Sequence, residues 1–86
     1  MRTIHHTVND PNGIHARPAG ILVNTAKQFD SEINLVFGDK VASLKRIFSV
    51  MGMALKEGDK FIIEISGTDE DASAEALENA IRDSGI

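Results

Sequence analysis

Gly13-Ile14-His15-Ala16-Arg17-Pro18-Ala19 is the stretch in which a turn gives way to a helix, and the other elements take their places around it. Pro18 fits the first turn of a helix, where its missing N–H costs nothing. Behind it Ala19, Leu22, Val23 and Ala26 follow the i, i+3, i+4, i+7 spacing of an apolar helical stripe. Arg17 precedes a proline and is biased away from helical angles. The helix therefore starts between Ala16 and Pro18, with His15 at its N-terminus. Free backbone N–H groups and the positive end of the helix dipole favour an anion such as phosphate there. Arg17 adds a planar donor fork suited to phosphate oxygens. A histidine or arginine beside a helix start is more often a cap or a solvated residue. The combination sets this stretch apart: Gly13 just before His15, Arg17 just after it, and Pro18 fixing the helix start. It describes a nucleophile with an anion receptor beside it.

Outward from that stretch the pattern is regular. Upstream, Arg2 to Val8 alternates Ile4, His6 and Val8 against Thr3, His5 and Thr7, a half-buried strand. His5 and His6 are adjacent strand residues that point to opposite faces, so they do not chelate a metal together. Asn9-Asp10-Pro11-Asn12-Gly13 is a turn cluster. Asn12 is placed there either as turn chemistry or as a hydrogen-bond partner of the histidine. The first helix runs to Lys27 or Phe29, and Asp30-Ser31 breaks it. Glu32 to Phe37 alternates again, Gly38-Asp39 reads as a hairpin turn, and Lys40 to Ser43 is the returning strand.

Residues 46 to 56 read as a second helix whose apolar positions, Ile47, Phe48, Val50, Met51, Met53, Ala54 and Leu55, exceed one face. A helix lying on a sheet buries one stripe, so part of this set is either exposed as a partner surface or absorbed by the core. After a Gly58-Asp59 turn, Lys60 to Ser66 is the most apolar strand and takes a central place. Thr68-Asp69-Glu70-Asp71 opens a last helix with acidic residues at its positive end. Ala74, Leu77 and Ile81 form its buried stripe, aided by Ala80, and Gly85 ends it.

Composition narrows the function. The 86 residues are expected to form one domain, with 42% apolar content for one modest core. There is no cysteine, hence no disulfide framework or thiolate metal site, which suits a reducing cytosol. No signal pattern or long apolar run is present, so secretion and membrane insertion are not expected. The formal net charge of −4 argues against non-specific nucleic-acid binding. Arg17, Lys27, Lys40, Lys45, Arg46 and Lys56 fall in the first two-thirds of the chain, an asymmetry that suits an anionic partner near the site.

The β-α-β-β-α-β-α order reads as an α+β sandwich with its helices on one face of an antiparallel sheet. Local pattern alone leaves a ferredoxin-like strand order open. Gly13-Ile14-His15-Ala16-Arg17-Pro18-Ala19 resembles the active-site signature of the HPr family, the small phosphocarriers of the bacterial phosphotransferase system. Leu44-Lys45-Arg46-Ile47-Phe48-Ser49-Val50-Met51 is similar to that family's second helix, and Gly67-Thr68-Asp69-Glu70-Asp71-Ala72 to the start of its last one. The resemblance spans nearly the whole chain, as a single HPr-like domain over residues 1–86. It implies an open-faced β-sandwich, a four-stranded antiparallel sheet of order 1-4-2-3 covered on one face by three helices.

The resemblance also implies a chemistry. Enzyme I, charged by phosphoenolpyruvate, phosphorylates His15 on Nδ1, and the phosphoryl group passes to IIA domains of sugar permeases. His15 is the nucleophile, the Ala16 and Arg17 N–H groups cradle phosphate, and the Arg17 side chain compensates charge. Gly20, Ile47, Phe48 and Met51 dock the partners. The protein is then a cytoplasmic, monomeric carrier with a phosphohistidine intermediate, transferase-like but acting only with partner enzymes, without metal or organic cofactor. Two rivals stand beside this: a regulatory paralogue that signals by phosphorylation-dependent protein binding, and a ferredoxin-like nucleic-acid or small-ligand module. The second expects basic or aromatic strand faces, whereas the chain has no Trp or Tyr. One departure from the family pattern is Arg46, where many Gram-positive relatives carry a regulatory serine.

Overall fold

The computed structural model describes residues 1–86. Its elements are β1 (Arg2–Thr7), α1 (Ala16–Ala26), β2 (Glu32–Phe37), β3 (Lys40–Ser43), α2 (Ile47–Met51), β4 (Lys60–Ser66) and α3 (Glu70–Ser84). The four strands form one antiparallel sheet in the order β1-β4-β2-β3. This is the implied 1-4-2-3 order and not the ferredoxin-like alternative.

The period-two alternation fixes which face each strand buries. Ile4 pairs with Ile63, Ile63 with Leu35, and Ile65 with Ile33, all buried. The intervening residues, Thr3, His5, Glu32, Asn34 and Glu64, lie in the opposite phase and are exposed or half-buried. The three helices cover the apolar face. From α1 come Ala19, Leu22, Val23 and Ala26, and from α3 come Ala74, Leu77 and Ile81, all in one buried cluster with the strand residues. His6 falls in the inward phase, half-buried with its ring 5.5 Å from that of Phe61, while His5 is exposed.

The second helix is shorter than expected. It spans Ile47–Met51 and not residues 46 to 56. The Met53 and Ala54 N–H groups donate to Val50 and Met51 carbonyls three residues back, and Ala54 then turns to φ +53°. That left-handed step ends the helix, and the next stretch runs as a loop. The apolar surplus is split as a result. Val50, Met53 and Leu55 enter the core, whereas Phe48 stays 85% and Met51 37% exposed.

Polar contacts made by Asp69, Lys45 and Asn9 pin the loops that frame the helices. Asp69, at the start of α3, accepts the Asp30 and Ser31 N–H groups at 2.8 and 2.9 Å and also the Ser31 hydroxyl. Lys45 Nζ donates to the Phe29 carbonyl at 2.7 Å, tying the end of the α1 turn to the approach of α2. Asn9 N–H donates to the Ile86 carbonyl oxygen at 2.6 Å, anchoring the last residue beside the loop that leads to α1.

Candidate functional site

The turn from β1 to α1 sets the site. Gly13 N–H donates to the Asp10 carbonyl at 2.8 Å, closing a turn over residues 10–13. Gly13 itself sits at φ +69°, a left-handed angle that glycine adopts without steric cost. The loop is clamped to the segment after α2, because Ile14 N–H donates to the Leu55 carbonyl at 3.1 Å. Ile14 is buried, and the neighbouring His15 is delivered to the surface.

His15 is the N-cap residue of α1, extended at φ −87° and ψ −171°, and its side chain makes no capping hydrogen bond. This matters for the donors behind it. A helix starts with up to four unsatisfied N–H groups. Here Pro18 has none to offer, and the Ala19 N–H already donates to the His15 carbonyl at 3.0 Å. The free donors reduce to Ala16 and Arg17, the two residues expected to hold phosphate. With the helix dipole behind them they form an anion-accepting end beside the imidazole. Both residues are exposed, as is the His15 side chain at 42%.

The one residue hydrogen-bonded to the His15 ring is Asp10, which the sequence pattern places only in the turn cluster. Asp10 Oδ2 lies 3.3 Å from His15 Nε2. Its other oxygen, Oδ1, accepts the Asn12 backbone N–H at 2.8 Å. Asn12 therefore contributes turn chemistry through its backbone, and its side chain does not bond the histidine. The Asn12 N–H holds the Asp10 carboxyl below the usual carboxylate value, and partial burial opposes this. The hydrogen bond and charge of His15 and the charge of Arg17 act in the same direction as Asn12. The signal was present as Asp10 in an Asp-Pro-Asn-Gly turn, but its reach depends on the left-handed Gly13 bend.

Of the expected partner residues, Gly20 and Ile47 lie against each other. A Cβ placed on Gly20 would meet Ile47 Cδ1 at 3.9 Å, so α1 and α2 approach closely there. Ile47 is half-buried, and Phe48 and Met51 stand out from α2. α2 thus meets α1 at Gly20, three residues along the helix from Arg17. No group of three or more His, Asp or Glu side chains converges as a metal site, and no helix is long and apolar enough to cross a membrane.

Residues 3–83 match the family model described as the PTS HPr component phosphorylation site. The phosphocarrier protein HPr of Lysinibacillus sphaericus is 46% identical over 86 residues, covering 100% of this chain and 98% of the relative. Among solved structures, the histidine-containing phosphocarrier protein of a Mycoplasma superposes with a TM-score of 0.96 at 33% identity, covering 99% of this chain and 97% of the other. The catabolite repression protein Crh of Bacillus subtilis, a dimer with a swapped domain, superposes with a TM-score of 0.75 at 27% identity over 94% of this chain and 93% of the other.

Proposed function

The chain belongs to the HPr family, the phosphocarriers of the phosphotransferase system, and from that membership we propose that it carries a phosphoryl group on His15 between Enzyme I and the IIA domains of sugar permeases. The observation that carries the proposal is the bare helix end: an uncapped His15 beside two unpaired N–H groups. His15 attacks phosphorus through Nδ1. The Ala16 and Arg17 N–H groups donate to the phosphoryl oxygens, and the Arg17 guanidinium offsets their charge. Catalysis of this kind rests on positioning and electrostatics. An exposed helix terminus binds phosphate weakly enough to release it, which a deep pocket does not.

The Gly20, Ile47, Phe48 and Met51 patch is the docking surface for both partners in this reading, because it lies next to the phosphate end and keeps a large aromatic ring in water. The carrier acts in the cytoplasm as a monomer. Its sizing profile should show one 9.3 kDa species, and a dimer like the swapped Crh would replace that part of the reading.

The test is chemical. Incubation with Enzyme I and phosphoenolpyruvate should add one phosphoryl group, acid-labile and base-stable as an imidazole phosphoramidate. His15→Ala should abolish the adduct, while His5→Ala and His6→Ala should keep it. The likeness to Crh supports a second reading, a regulatory paralogue. Restoration of sugar uptake in cells lacking their own carrier separates the two.

A further inference from the structure

Asp10 occupies a position in the site that the function proposed above leaves unused. Its two carboxylate oxygens have different partners: Oδ1 accepts the Asn12 N–H, and Oδ2 faces His15 Nε2 at 3.3 Å. An ionised carboxylate only accepts hydrogen bonds, so the nitrogen facing it is the one that bears hydrogen. In a neutral imidazole, hydrogen on Nε2 leaves the free lone pair on Nδ1. No other side chain hydrogen-bonds to the ring.

We propose that Asp10 is a positioning residue for phosphoryl transfer: it holds His15 in the Nε2–H tautomer, so that Nδ1 carries the lone pair that attacks phosphorus. This rests on the carrier reading. In the step itself Nδ1 donates its pair to the phosphorus of the donor's phosphoryl group. The bond from phosphorus to the donor breaks, and the donor's leaving atom keeps the bonding pair. No proton moves, because Nε2 keeps its hydrogen throughout. The His15 ring gains positive charge as the new P–N bond forms, and the Asp10 carboxylate already faces that charge. Onward transfer breaks the same bond and returns the pair to Nδ1. The carboxylate meets the ring hydrogen directly but acts on the phosphoryl group only from across the ring, so attraction outweighs repulsion. The residual repulsion loosens the phosphoryl group, as a carrier requires.

The experiment reads the tautomer and the rate separately. Nitrogen NMR of the labelled full-length protein at about pH 9, above the ordinary histidine range, locates the ring hydrogen, with His15 signals assigned by their loss in His15→Ala. The wild type should show Nε2–H. Asp10→Asn keeps an oxygen for the Asn12 N–H, and so the turn, but removes the charge. It should raise the Nδ1–H population and lower kcat for transfer from phosphorylated Enzyme I about fivefold to tenfold, with little change in KM. An unchanged tautomer ratio or an unchanged kcat in this variant overturns the proposal. So does a wild-type ring with its hydrogen on Nδ1, a result that needs no variant to fold. A wild type with Nε2–H in place whose His15 takes no phosphoryl group would instead defeat the carrier reading, and the role of Asp10 with it.

Discussion

Gly13 lies flat against the backbone at Leu55. A Cβ on Gly13 would overlap the Leu55 carbonyl oxygen and stand 3.1 Å from Lys56 Cα, while the Ile14 N–H donates to that same oxygen at 3.1 Å. The glycine needs its left-handed angle and its missing side chain at once, so the loop bearing His15 is welded to the segment after α2. Gly13→Ala must pay for both. A left-handed non-glycine residue costs about 1–2 kcal/mol, and overpacking against backbone about 1–3 kcal/mol. Urea denaturation should show a loss of about 3 kcal/mol. The surviving folded protein should accept phosphate slowly, because the shift falls two residues from His15. A loss below about 1 kcal/mol would show that the loop moves away freely.

The residue just before Leu55 gives the opposite sign. Ala54 holds φ +53° without being a glycine. Relief of that angle in Ala54→Gly gains about 1–2 kcal/mol. The greater freedom of glycine in the unfolded chain takes back about 0.4–1 kcal/mol. The first effect wins, so thermal unfolding should show a net gain of about 0.5–1 kcal/mol, with α2 unchanged. A destabilised variant would mean that the Ala54 methyl group makes a contact worth more than its backbone strain.

How much of this was legible in the sequence depends on the range of the interaction concerned. The stripe of Ala19, Leu22, Val23 and Ala26 and the alternation of Phe61, Ile63 and Ile65 are local, and both read directly as the helix and strand they form. The strand order was not legible from local pattern and came through the resemblance. The end of α2 was misread because Val50, Met53 and Leu55 all enter the core, first from a helix and then from a loop. Apolar spacing alone does not mark that change, and Ala54 is no residue to announce a left-handed turn. Asp10 was missed for a related reason: its meeting with His15 exists only once Gly13 has bent the chain.

Phe48 and Met51 are the exposed apolar residues of α2. Met51→Glu should raise the KM for transfer with both Enzyme I and a IIA domain, while circular dichroism and unfolding stay near wild type. Surface changes of this kind shift stability by less than about 0.5 kcal/mol, whereas a charge forced into a core costs far more. A variant that unfolds would place Met51 in the core and not on the docking surface.

Asp69 ties the α1–β2 turn to α3 as a carboxylate acceptor. The Ser31 hydroxyl first, and then the Asp30 N–H, hold its carboxyl below the ordinary value of 3.8; burial opposes them, and the Ser31 N–H adds to the lowering. A folded-state value below the unfolded one contributes stability that is fully present above the unfolded value and is lost as pH falls through the folded one. Asp10 acts in the same direction. Unfolding midpoints should therefore be flat near neutral pH and fall below about pH 4. In Asp69→Asn the midpoint should start lower at neutral pH and fall less steeply in acid. Parallel curves for the two proteins would show that Asp69 does not titrate with folding.

Arg46 is the N-cap of α2, extended at φ −122° and ψ 106°, and its side chain makes no capping bond. Its carbonyl accepts the Val50 N–H at 3.1 Å, but the helix's free donors receive nothing from it. A cation at the positive end of a helix is unfavourable by the sign of the dipole. Serine is among the preferred residues at this position, and its hydroxyl accepts one of those N–H groups. Arg46→Ser should therefore raise stability by about 0.5–1 kcal/mol and supply the hydroxyl on which the family's regulatory kinase acts. With that kinase and ATP, the wild type should gain no phosphoserine and the variant should gain one. Modification would place about −1.5 to −2 charges at the helix start, beside the surface proposed to dock Enzyme I. Phosphorylated Arg46→Ser should accept phosphate from Enzyme I more slowly than the unmodified variant. Ser43 and Ser49 are the hydroxyls nearest in sequence. Stoichiometric modification of either in the wild type would show that the regulatory site has moved along the chain and has not been lost with the arginine.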